Sequence, residues 1–197
     1  LFVGDAGGCG LGVFTARPIP AGSAIVADED GTLPQRACTL AVALAQGWDR
    51  RHDLFQLDHD LFLPPRGCFD DLFNHSCAPS GGWRLGVRGA RFVAIRAIAA
   101  GEELTYDYSC HLLNGGEEMV CACETGACRG VIGPFRTLPE PLQRPGKTHR
   151  CLSSGIAERD CGLIAGERRR IVALVEGFPG CQKLRLCRRC HRHGGRQ

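Results

Sequence analysis

The chain has 197 residues, 44% hydrophobic and 23% charged, the balance of one globular domain with room for a small attached module. Its apolar stretches are short and broken by charge or glycine, which excludes a bilayer-spanning helix, and the start lacks a signal-peptide pattern. The net charge of +3 is unevenly spread: residues 144–197 carry 13 Lys+Arg against 4 Asp+Glu, a net of +9, so the acidic body before them suits a cationic target.

The first residue is Leu1 rather than Met, the mark of a trimmed chain or a fragment. Leu1-Phe2-Val3 reads as a short strand. Five glycines between Gly4 and Gly12 then break regular structure and let the backbone approach a neighbour closely. Gly10-Leu11-Gly12 has a spacing also found in nucleotide-binding loops, but a strand, Val13–Ala16, follows it, and no helix. The dinucleotide fingerprint is therefore rejected, leaving a flexible turn or a ligand-contacting loop. A turn at Pro18–Gly22 leads to a second strand, Ser23–Ala27. The run from Leu40 to Trp48 is compatible with a helix that Gly47 ends. Residues 52–63 alternate enough to predict a hairpin turning near Asp58-His59. His52/Asp53 and His59/Asp60 are neighbours on strands and point to opposite faces, so neither pair makes an acid–base dyad.

Phe69-Asp-Asp-Leu-Phe leads as a strand into Asn74-His75-Ser76-Cys77. Taken alone this is a polar turn, or else a site, because buried Asn and His need defined partners. Strands are predicted at Trp83–Arg88 and Ala90–Arg96, separated by Gly89. Ile98-Ala-Ala-Gly101 repeats the turn pattern of Ile19-Pro-Ala-Gly22. Leu104–Tyr108 is a short strand with Tyr106 and Tyr108, the chain's two tyrosines, on one face. Aromatic cross-strand packing would also explain such a pair.

Thirteen cysteines, an odd number without a secretion signal, favour a reducing compartment and metal over disulfides. Cys121-x-Cys123-x4-Cys128 supplies three thiolates, one short of a closed tetrahedral zinc site. Free buried cysteines are the plainer alternative.

Together, and in this order, the glycine loop, Asn74-His75-Ser76-Cys77, Glu103–Tyr108 and the cysteine cluster resemble the SET-domain protein-lysine methyltransferases with a zinc-binding post-SET segment. The resemblance runs from about Gly4 to about Phe135. It implies a mainly β fold, the SET-domain β-clip with a pseudoknot, few short helices and the zinc segment. The implied division is a SET domain over 1–110, a post-SET segment over 111–135 and a poorly ordered basic tail over 136–197. By the same likeness Gly10, Leu11, Gly12, Asn74, His75 and Tyr108 meet S-adenosylmethionine. Tyr108 is then the catalytic tyrosine, and Tyr106 stands where the number of methyl groups added is set. A tyrosine there leaves little room, which implies mainly monomethylation. Cys77 is the implied fourth zinc ligand beside Cys121, Cys123 and Cys128. The implied partner is a lysine-bearing protein or peptide, and the compartment intracellular: cytoplasmic in a bacterium, nuclear in a eukaryote. A catalytically silent, zinc-stabilised peptide-binding module is the competing reading.

Three departures stand out: Asp70-Asp71 where many members have Arg, Asp28-Glu29-Asp30 near the place of a usual tyrosine, and no cysteine-rich block before Gly4. The compact form resembles small stand-alone members, bacterial ones included. The tail reads as a solvated basic end fit for weak contact with nucleic acid; Cys181, Cys187, Cys190, His191 and His193 are an alternative second zinc set. Oligomeric state has no sequence signal here.

Overall fold

The computed structural model describes residues 1–28, 33–48, 54–86, 89–112 and 118–143. The basic tail, its alternative zinc set and the His52/Asp53 pair lie outside the described residues. Eleven short strands and three short helices appear among them, so the expected mainly β architecture holds. In chain order the strands are β1 (Phe2–Asp5), β2 (Leu11–Phe14), β3 (Ala24–Asp28), β4 (Phe55–Asp58), β5 (Leu61–Leu63) and β6 (Asn74–His75). They continue as β7 (Gly81–Gly86), β8 (Gly89–Ala94), β9 (Thr105–Tyr106), β10 (Met119–Val120) and β11 (Val131–Ile132). The helices are α1 (Leu33–Arg36), α2 (Leu40–Ala45) and α3 (Glu140–Gln143), none long and apolar enough to cross a membrane.

The strands form small sheets, with β3, β8 and β7 making the one of three strands. Its inner face carries Trp83 and Phe92, which join Val13, Phe73, Ile98 and Leu104 in the main core. Phe92 is fully buried, and burying a ring of that kind is worth about 1.5–3 kcal/mol. The two echoing turns face each other: Ile19 and Ile98 exchange backbone hydrogen bonds of 2.9 Å in both directions. Each turn ends on a glycine with positive φ, Gly22 at 83° and Gly101 at 79°, a backbone that other residues enter only with strain.

Some sequence expectations shift. The glycine-rich segment does not stay irregular: β1 and β2 pair across it, Gly4 opposite Gly12, leaving only a 3-10 turn at Gly7–Cys9 between them. The strand expected before Asn74 is a 3-10 turn, Phe69–Leu72. Asp71 explains this, because its carboxylate accepts from the amides of Arg66, Gly67 and Cys68 at 2.8, 2.6 and 2.9 Å and so winds the chain. The strand expected over 104–108 is cut to Thr105–Tyr106, since Asp107 caps a second 3-10 turn, Tyr108–Cys110, by accepting from the Ser109 amide at 3.1 Å. The α2 helix starts and stops as read, with the Thr39 hydroxyl accepting from Val42 N–H and Gly47 at φ 83° just past its end.

Candidate active site and metal centre

The site forms where chain-distant segments meet. β6 lies parallel to β9, Asn74 opposite Thr105 and His75 opposite Tyr106. β2 runs along the residues before β9, with Leu104 N–H donating to Val13 O at 2.7 Å and Thr15 N–H to Glu102 O at 3.1 Å. The glycine loop, the Asn-His segment and the tyrosine strand are thereby brought side by side.

Asn74 ties them at side-chain level. Its amide donates to Leu11 O at 3.0 Å and to Glu103 Oε1 at 2.7 Å. Gly12 sits so close that an added Cβ would lie 2.2 Å from Glu103 Oε1 and 3.0 Å from Asn74 Nδ2. The glycine at that position is a packing requirement as well as a loop feature. Gly10, with φ 81°, turns the chain into β2 and receives the Ala6 amide on its carbonyl at 2.6 Å.

His75 makes two contacts that fix its tautomer. The Tyr108 backbone N–H donates to its Nδ1 at 3.1 Å, so Nδ1 is an acceptor and the ring proton resides on Nε2. That Nε2 lies 3.3 Å from Cys77 Sγ. Burial, aided by the nearby Arg129 charge and opposed by Asp107, lowers the His75 pKa to about 4. The ring is therefore neutral at physiological pH.

Tyr108 opens its 3-10 turn rather than continuing the strand, yet its ring still lies 4.8 Å from that of Tyr106. Its hydroxyl donates to Phe73 O at 2.8 Å. His111 stands 5.5 Å from both tyrosine rings and stacks on Phe55 at 4.8 Å. Phe73, Trp83 and Phe92 pack behind them. This group is a packed, largely apolar aromatic cluster with few polar atoms. Burial pushes both tyrosine hydroxyls well above their usual range, so both are protonated donors. Burial also holds His111 down at about 3, an uncharged ring.

The cysteine cluster adjoins the same segment. Donor atoms of His75, Cys77, Cys121 and Cys123 all lie within 4.8 Å of one another. Cys128, the other expected ligand, is outside that quartet; its thiol accompanies Cys121, with Sγ 3.9 Å from the Cys121 carbonyl oxygen. Backbone amides point at sulfur throughout: Arg129 N–H to Cys77 at 3.4 Å, Cys77 N–H to Cys123 at 3.5 Å and Gly130 N–H to Cys128 at 3.4 Å. Amides aimed at sulfurs favour thiolates, the form a metal needs. Burial raises the Cys123 thiol, but the Thr125 hydroxyl and the Cys77 and Thr125 amides outweigh it and bring it to about 6. Burial pushes Cys77 and Cys121 up, which makes uncompensated thiolates costly there. A soft dication removes that cost, so the donor set fits one. His75 can join only by giving up the Nε2 proton that its contact with Tyr108 fixes there.

Of the acids at the departures, Asp28, Asp70 and Asp71 have structural partners, while Glu29 and Asp30 lie outside the described residues. Asp28, buried, pairs with Arg36 and with Arg66 at 3.1 Å, and Arg66 also reaches Asp70 at 3.1 Å. Sequence reasoning missed Glu103, Asp107, His111 and Arg129 as individual residues. The first two lay within the Glu103–Tyr108 stretch and Arg129 adjoined Cys128; His111 had no pattern to announce it.

Comparison with known proteins accords with this geometry. The SET domain family matches residues 10–109. The chain is 34% identical over 139 residues to the histone-lysine N-methyltransferase ash1 of Drosophila melanogaster, covering 68% of this chain and 6% of that protein. It is 30% identical over 151 residues to the histone-lysine N-methyltransferase ASHR3 of Arabidopsis thaliana, covering 68% of this chain and 28% of that protein. An H3 lysine-4 specific histone-lysine N-methyltransferase of Schizosaccharomyces pombe is 36% identical over 85 residues, 40% of this chain and 9% of that protein. The chain thus spans less than a third of the length of each of these relatives. With the family's span running from the glycine loop through both tyrosines, the chain belongs to the SET-domain family of lysine methyltransferases.

Proposed function

We propose that the chain is an S-adenosylmethionine-dependent protein-lysine N-methyltransferase that adds mainly a single methyl group. The observation that carries this reading is the Asn74 amide bound to the Leu11 carbonyl beside two tyrosines packed in one apolar aromatic cluster. In this reading Gly10, Leu11, Gly12, Asn74, His75 and Tyr108 hold the cofactor, which supplies an activated methyl group on a cationic sulfur. The substrate amine must arrive neutral, although free lysine has a pKa near ~10.4. The walls of Phe55, Tyr106 and Tyr108 disfavour the ammonium by excluding water. The tyrosine hydroxyls and the Phe73 carbonyl orient what enters, which is catalysis by alignment.

Cys77, Cys121, Cys123 and Cys128 would hold Zn2+, with His75 donating its Nε2–H to the Cys77 thiolate from outside the ligand set. The metal's contribution is structural: it clamps the segment after residue 118 beside the aromatic cluster. The fitting partner is a lysine-bearing protein, and the histone-lysine methyltransferases among the relatives make histones the first substrate to try. An intracellular setting, nuclear in a eukaryote, goes with that partner.

The direct test incubates the zinc-loaded chain with methyl-labelled cofactor and core histones, followed by a mixed protein lysate. Label should appear on lysine, located by mass spectrometry. A chain that binds cofactor and peptide but transfers no label to either would instead be the silent binding module. Tyr106→Phe tests the methyl count. Losing the hydroxyl frees space next to Tyr108, so the dimethyl share of product should rise several-fold. An unchanged mono-to-dimethyl ratio in the mass spectra would remove Tyr106 from that role.

A further inference from the structure

A buried, two-armed polar contact in the site belongs to residues with no part in the chemistry above. Asp107, 1% exposed, lies between Tyr106 and Tyr108. Arg129, next to Cys128, grips it with both arms: one guanidinium nitrogen donates to Asp107 Oδ2 at 2.8 Å and the other to Oδ1 at 2.7 Å. The second nitrogen also reaches Ser109 Oγ at 3.3 Å. The fork therefore holds the residues on both sides of Tyr108. Meanwhile the Arg129 backbone amide donates to Cys77 Sγ at 3.4 Å. One residue thus touches the cysteine cluster with its main chain and brackets the tyrosine turn with its side chain.

We propose that Arg129 is a positioning residue for methyl transfer, fixing the Tyr108 turn in register with the cysteine cluster through its fork on Asp107 and Ser109. The proposal rests on the methyltransferase reading. A planar bidentate fork fixes orientation as well as distance, which a point charge on a flexible stem does not. The carboxylate it grips also caps the turn by accepting from Ser109 N–H, so a loosened Asp107 loosens the turn itself. A plain clasp, holding the cysteine segment to the body without setting the tyrosine, is the competing role.

The experiment uses the full, zinc-loaded chain with ring-13C tyrosine, whose two residues give two assignable signals, both from this site. Arg129→Lys keeps the positive charge and removes the fork; Asp107→Asn keeps the shape and removes the charge, and serves if the first variant folds poorly. Zinc should remain at about one per chain in both, and both tyrosine signals should shift or split. With an active parent, kcat should fall about tenfold or more while KM for the cofactor stays within about threefold. The double variant should be no worse than the worse single one, since the two residues act as a unit. Unshifted tyrosine signals with zinc retained, or zinc lost from Arg129→Lys, would each overturn the proposal. The spectra decide it even if the parent transfers no methyl group, an outcome that would sink the functional reading alone.

Discussion

Tyr108→Phe will reduce kcat by about a hundredfold or more and leave cofactor affinity within about threefold. The substitution removes one oxygen and little else. The ring keeps its neighbours, Tyr106 at 4.8 Å, His75 at 5.4 Å and His111 at 5.5 Å. The backbone N–H keeps its bond to His75 Nδ1, so the Asn-His segment is undisturbed. What disappears is the hydrogen bond to Phe73 O, and leaving a buried carbonyl without that donor costs about 1–3 kcal/mol of stability. A stability effect of that size cannot account for a hundredfold loss of rate in a chain that stays folded. Rate and affinity are read separately, by steady-state kinetics and by calorimetric titration with cofactor. A kcat within about fivefold of the parent would take the chemistry away from this hydroxyl.

Cys77→Ser should empty the metal centre. Its sulfur is fully buried and stands 3.7 Å from Cys121 Sγ, 3.3 Å from His75 Nε2 and 3.4 Å from the Arg129 amide nitrogen. A serine hydroxyl is a poor replacement for a thiolate on a soft dication. Metal analysis should show zinc falling from about one per chain to below about one tenth. Binding free energy at such centres is folding free energy, so stability should drop by several kcal/mol, on the order of 10 °C in Tm. A strong chelator added to the parent chain should reproduce both losses. Zinc at parental level in the variant would show that Cys77 is no ligand.

The readable parts of the fold were those set by local chemistry. Gly47 ending a helix and the paired glycine turns at Gly22 and Gly101 each follow from what one residue permits in its own backbone. The hairpin expected to turn near Asp58-His59 follows from alternation along residues 52–63. The 3-10 turn before Asn74 was not readable, because it depends on Asp71 collecting three amides, and an apolar stretch with two acids looks the same on a strand. Tyr108 leaving its strand has the same origin in Asp107. In the site, the motifs named Asn74, His75 and the tyrosines by type and order. The sequence offered no means of finding the proton on His75 Nε2, which depends on a Tyr108 amide 33 positions away. Nor could it join Arg129 to Asp107, since a lone basic residue after a cysteine looks like surface decoration.

The pairing of β6 with β9 has a consequence for how the molecule comes to exist. Only two residues on each side hold that ladder, while closing a loop of some thirty residues costs about 3 kcal/mol. The ladder cannot secure itself, so it must wait until the β7–β8 hairpin spanned by the loop has formed and drawn its ends together. The β6–β9 junction should therefore form after that hairpin in refolding, and a chain stopped short of Tyr106 would own every upstream motif without the ladder that joins them.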